Sequence, residues 1–267
     1  MLELAEDEQE YFIDKLKKKT LIGKKGSEHP VFTAIIGMPG TGKSTLAAKM
    51  QNTAVISGDN VMSEYCEMLG IDITEPFIDK EVGRFIDRVN REIIDEAVDR
   101  GINIAYDTQS VFRAEDMLEE MQQKGYQVRA KVMLADKYQA ALNSVERKLD
   151  MDEKFIQYKM GERKRYPKGN TRLGSLEAAS DNFERVVNYI KTANAKSYPV
   201  EVYEFGKDKP SFKSGEDVDS FFESLDLTPA VDQSKRAEKL SARAMVLGKE
   251  DEVIGLNYLR NRMNKEK

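Results

Sequence analysis

A glycine-rich segment with a lysine and a hydroxyl at its end begins at Gly37. Gly37-Met38-Pro39-Gly40-Thr41-Gly42-Lys43-Ser44 has the spacing G-x-x-x-x-G-K-[ST] and is followed by Thr45. Glycines at these positions let successive backbone N–H groups turn inward on phosphate oxygens. Lys43 reaches the β- and γ-phosphates, and the Ser44 hydroxyl is placed to ligate magnesium. The segment lies between an apolar strand-like run, VFTAII, and a helix-like run, STLAAKM, which is the context the cradle needs. ATP with Mg2+ is the ligand pair this implies.

A phosphate loop alone does not say which nucleotide chemistry follows, so the acids elsewhere must discriminate. There is no N-K-x-D segment of the kind that reads guanine. The run INIAYDT ends in a single acid, Asp107, rather than the paired Asp-Glu common in ATP-hydrolysing motors. A second acid, Asp59, follows the run AVISG at a place that faces the ligand crevice in an open parallel sheet. Phosphoryl transfer to a hydroxyl needs a carboxylate that orients the hydroxyl and takes its proton. Asp59 suits that role, although an Asp after a strand also serves as the N-cap of a following helix, here Asn60 to Leu69. Asp107 suits a hydrogen bond to a magnesium-bound water or the orientation of the acceptor, with Thr108 assisting. Arg113 either binds phosphate or pairs with Glu115 or Asp116.

The elements that must position these groups follow from patterning. Strand-like runs alternating with helical ones predict an α/β P-loop NTPase fold, with a mainly parallel sheet flanked by helices. The expected core spans 31–206. It is preceded by a helix and linker (1–30, with Leu4, Tyr11, Phe12 and Leu16 at helical spacing) and followed by a helical extension (207–267). Residues 150–182 are polar, basic and glycine-containing, a composition suited to a lid. There Arg163, Lys164, Arg165, Lys168 and Arg172 are candidates to close over a transferring phosphate. The segment to Asp226 reads as a small helix or hairpin. Met117, Leu118 and Met121 read as a packing face, Cys66 as a helix packing residue, and Lys17-Lys18-Lys19 as a solvated helix end.

Composition narrows the classes. One cysteine and one histidine exclude an intrachain disulfide, a His-centred triad and a multi-histidine zinc site. A net charge of −5 gives no support for generic nucleic-acid or membrane affinity. With no long apolar run and an acidic beginning, the chain reads as cytoplasmic.

The order of motifs resembles the zeta toxin family. The resemblance rests on AIIGMPGTGKST, on GINIAYDTQSVFRAEDMLEEMQQKGYQVRAKVMLADKYQAALNSVERK and on TRLGSLEAASDNFERV, between about Val31 and Glu204. It implies transfer of the ATP γ-phosphate to the 3′-hydroxyl of UDP-N-acetylglucosamine or a related UDP-amino sugar. It also implies an antitoxin protein that covers the nucleotide site. By position it places the catalytic acid on Asp59, the phosphate-loop lysine on Lys43, the magnesium hydroxyl on Ser44, and two phosphate-neutralising arginines on Arg172 and Arg185. Glu92 and Glu96 approximate the family's substrate-binding acid. The chain departs from the family after Asp59, where Asn60-Val61-Met62-Ser63-Glu64 replaces an aromatic, a basic residue and His-Pro. It departs again at Asp107-Thr108-Gln109, which looks more like the Asp-Thr of polynucleotide kinases. Polynucleotide or nucleoside phosphorylation is therefore the alternative reaction. An ATP-binding switch whose helical ends hold a partner is the alternative of another class.

Overall fold

A computed structural model describes residues 4–72, 80–168, 176–195, 199–225 and 231–265. β1 (Val31–Gly37) is buried from Phe32 onward, so both of its faces must be covered. It sits inside a six-stranded sheet of order β2-β3-β1-β4-β5-β6, with β2 (Thr53–Ser57), β3 (Asn103–Thr108), β4 (Gln127–Leu134) and β5 (Val200–Glu204) all parallel. Only the two-residue β6 (Phe212–Lys213) runs antiparallel, at the edge. The expected α/β architecture is the one observed.

The helices follow the same logic. α4 (Lys80–Asp99) buries Val82, Phe85, Ile86, Val89 and Ile93, the i, i+3, i+4 stripe of a helix lying on a sheet. α5 (Val111–Gln123) buries Met121 and keeps Met117 and Leu118 partly covered, as the packing face requires. α2 (Lys43–Ala48) and α3 (Gly58–Leu69) leave the C-terminal ends of β1 and β2, and α3 buries Cys66.

Four expectations change. α1 (Glu6–Leu21) is part of the main core rather than an appendage, because Phe12, Ile13, Leu16 and Leu21 are buried and Phe12 packs 5.7 Å from Phe85. Tyr11, expected on that face, points outward at 64% exposure, since Ile13 takes the inner position. Of the Lys17-Lys18-Lys19 run, Lys17 pairs with Glu92 and Glu96 and Lys19 with Glu64, while Lys18 is exposed. Finally, residues 150–159, expected in the lid, form the last turns of α6 (Lys137–Lys159). Met151 and Phe155 bury one turn apart in a cluster with Cys66 and Tyr166, and Asp152 pairs with Lys249. α6 is launched from β4 by Asp136, whose side chain accepts from the Tyr138 and Gln139 amides.

Past β5 come β6, α8 (Val218–Ser224) and a hairpin of α9 (Val231–Val246) and α10 (Glu250–Lys265). The hairpin buries Ala237, Leu240, Leu256 and Leu259 against Leu142, Val145 and Leu149 of α6. α7 (Leu176–Ala195) precedes β5. Among the described residues no helix is long and apolar enough to cross a membrane.

Candidate active site

The phosphate loop joins the buried end of β1 to α2, and its shape depends on glycine. Gly40 has φ +81°, and a Cβ there would stand 2.4 Å from the carbonyl oxygen of Ala140 on α6. Gly42, at φ +93°, is the left-handed N-cap of α2. Inside the loop, Thr41 Oγ1 and Lys43 Nζ both donate to the Met38 carbonyl, at 2.8 and 2.9 Å. Pro39 and Lys43 face the crevice, whereas Met38 is buried. Ser44 and Thr45 are exposed at the first turn of α2.

Ser44 Oγ donates to Asp107 Oδ2 at 3.1 Å, which joins the end of β3 to the helix after the loop. Both are hard oxygen ligands beside the phosphate cradle, so they fit magnesium shared with phosphate oxygens and water. Asp59 lies in the first turn of α3 rather than at its N-cap, which is Ser57. The capping alternative is thereby set aside, and its carboxylate faces a crevice of about 370 Å³ with Lys43, Asp107, Thr108 and Tyr106. Thr108 Oγ1 accepts from the Ser110 amide and so shapes the turn into α5.

The electrostatics of this crevice are poised rather than settled. Burial holds the Lys43 ammonium below the usual lysine range, opposed by Asp107 and Asp59. Burial raises the Asp107 carboxyl, opposed by Lys43 and the Ser44 hydrogen bond and reinforced by Asp59. The remaining participant is Arg147 of α6, which the sequence reading missed. Burial lowers its guanidinium against the pull of Asp59 and Asp107, and its Nε and Nη2 are buried with no hydrogen-bond partner among the described residues. No sequence signal pointed to it: Ala140, Ser144 and Arg147 share one face of α6, but that the first two abut Gly40 is a tertiary contact.

The described lid residues have other partners. Arg172 lies outside the described residues. Arg185 is exposed on α7 and is not among the residues lining the crevice. Arg163 Nε donates to the Arg165 carbonyl within its own loop, and Lys168 pairs with Glu64 and Glu67. Arg113 is held bidentate by Asp87 at 2.9 and 3.2 Å, rather than by Glu115 or Asp116. Glu92 and Glu96 face Lys17, whereas Asn90 of the same helix lines the crevice. Asn90 is 8% exposed, and its Oδ1 has no hydrogen-bond partner among the described residues.

The family model described as Zeta toxin matches residues 14–203. A structure from the PezAT chromosomal toxin–antitoxin system of Streptococcus pneumoniae superposes with a TM-score of 0.64 at 14% identity, over 92% of this chain and 98% of that one. The AvrRxo1-ORF1:-ORF2 structure with ATP superposes with a TM-score of 0.56 at 12% identity, over 97% and 87%. At these identities the likeness is one of fold. No curated protein matches the sequence.

Proposed function

The chain belongs to the zeta toxin family, and we propose that it is an ATP-dependent kinase acting on a hydroxyl of a UDP-amino sugar, with UDP-N-acetylglucosamine the first acceptor to test. The observation that carries this reading is that Lys43, Asp59 and Asp107 line one crevice at the C-terminal ends of β1, β2 and β3, with the Arg147 guanidinium near enough to feel both carboxylates. Two buried cations and two carboxylates suit a reaction in which negative charge builds on a transferring phosphoryl group.

In this reading Lys43 exchanges the Met38 carbonyl for the β- and γ-phosphate oxygens, and the loop amides hold the rest of the chain of phosphates. Asp59 orients the acceptor hydroxyl and takes its proton as the oxygen–phosphorus bond forms and the bond to ADP breaks. Arg147 faces the equatorial oxygens, a role the resemblance had assigned to Arg172 and Arg185. Ser44 and Asp107 would hold magnesium, which would supply positive charge against the phosphates. Asn90 offers a hydrogen bond to an acceptor group on the floor of the crevice. The ATP in the AvrRxo1-ORF1:-ORF2 structure supports the nucleotide assignment. An antitoxin covering the nucleotide site is the partner this reading implies, and the PezAT system supports it.

The test is mass spectrometry of reactions with Mg-ATP and a panel of UDP-sugars, nucleosides and a 5′-hydroxyl oligonucleotide, run beside Asp59→Asn and Lys43→Ala. A UDP-sugar that gains one phosphate only with the wild type is the expected result. Phosphate on the oligonucleotide or a nucleoside instead would replace the acceptor with the one favoured by Asp107-Thr108. ATP binding with no product on any acceptor would favour the switch.

A further inference from the structure

α6 meets the phosphate loop on one side and the C-terminal hairpin on another, and one side chain bridges them. Asn143 donates from Nδ2 to the Gly40 carbonyl at 2.8 Å. Its Oδ1 accepts from Gln139 Nε2 at 2.7 Å and from Arg236 Nη2 of α9 at 2.8 Å. Arg236 is itself held by Glu146. Gln233, one turn earlier on α9 and buried, donates to Asp136 Oδ2 at 3.0 Å and to Gln139 Oε1 at 3.4 Å.

Two donors on Oδ1 decide which way the Asn143 amide points. The reversed orientation would set Oδ1 against the Gly40 carbonyl oxygen, acceptor against acceptor. Because the peptide is planar and trans, holding the Gly40 carbonyl toward α6 fixes the plane of the Gly40–Thr41 peptide, and with it the turn of the loop that the Thr41 N–H closes onto the Met38 carbonyl at 3.4 Å. Backbone N–H groups of this loop are what a phosphate binds. Gln233 and Arg236 both lie beyond residue 203, where the family model stops.

We propose that Arg236 is a positioning residue for the nucleotide site, acting through Asn143 on the Gly40–Thr41 peptide, so that the C-terminal hairpin completes the phosphate cradle. The inference rests on the reading of Gly37–Ser44 as the ATP site.

The test measures Mg-ATP affinity by calorimetry, melting temperature and steady-state kinetics on the full chain. Losing the oriented hydrogen bond is expected to raise the ATP Kd roughly 3- to 10-fold in Arg236→Ala and in Asn143→Ala. The double variant should weaken binding no further than the worse single variant. Arg236→Lys, which keeps a donor, should recover most of the affinity. The KM for ATP should rise while kcat at saturating ATP stays within about twofold. Arg243→Ala removes ion pairs from α9 to Asp150 and Glu153 without touching the relay. It should lower the melting temperature and leave the ATP Kd alone. If Arg236→Ala does not fold, Arg236→Met keeps the stem of the side chain and carries the same expectation. Wild-type Kd in the Arg236 variants, or an equal rise in Arg243→Ala, would overturn the proposal. A wild type that binds no ATP would overturn the nucleotide reading itself, before any variant is compared.

Discussion

Two arginines, one on α4 and one on α6, lead different lives. Arg91 of α4 forms a fork with both oxygens of Glu120, at 2.6 and 2.9 Å, and Lys124 joins the same carboxylate. These hydrogen bonds raise its guanidinium above the usual arginine value and hold the Glu120 carboxyl down to about 2. Arg147 is buried beside Asp59 and Asp107, yet two of its nitrogens are unpartnered among the described residues and its guanidinium is lowered. Where charge serves the fold, partners are supplied within the chain. In the kinase reading proposed above, a charge kept for a ligand is left incompletely paired, at the cost of its burial.

The largest effect that sharpens this contrast is at Asp59. Asp59→Asn keeps the shape and removes the proton acceptor, so phosphotransfer should fall by about 10²–10⁴ while Mg-ATP affinity and melting temperature hold. Single-turnover kinetics beside calorimetry would check it, and an active Asp59→Asn enzyme would remove the base from the reading. Next comes Arg147→Met, which should lower kcat by about 10²–10³ and leave the melting temperature unchanged or higher, because a desolvated cation is replaced by an apolar stem. Arg91→Met should do the reverse. Its ion pair is half exposed, so it should cost less than about 1 kcal/mol in chemical denaturation and leave kcat untouched. Equal kcat losses in the two variants would erase the distinction between a ligand-directed and a fold-directed arginine.

The same contrast explains what was legible in the sequence. The phosphate loop could be read because its chemistry is contiguous: the glycines, Lys43 and Ser44 lie within eight residues, and the flanking strand and helix announce themselves. Asp59 and Asp107 were legible because a parallel sheet brings the ends of its strands to one crevice. Arg147 was not, since its direction depends on the register with which α6 crosses Gly40, a tertiary fact fixed by the close fit of Ala140 and Ser144. The basic stretch after Asp150 misled for a related reason. Its charges suggested a loop, but Met151 and Phe155 keep helical spacing and bury. α1 was assigned outside the core because a polar, lysine-rich helix hides how much three or four apolar residues can bury.

The smallest effect lies on the paired side and is read in pH rather than in rate. Glu120 ionises near 4.5 in an unfolded chain and at about 2 in the folded one, because Arg91 and then Lys124 donate to its carboxylate. A depressed folded value means that the stabilisation is complete above about pH 4.5 and drains away as the pH falls toward 2. Glu120→Gln should therefore melt below the wild type by a constant margin at neutral pH, a margin that closes across that acid window. Partial exposure of Arg91 and Glu120 keeps it modest and makes it shrink in high salt. A margin that persists unchanged at pH 2 would mean that Glu120 stabilises the fold by packing rather than by charge. The fork at Arg91 would then be no counterpart to the incompletely paired arginine of the crevice.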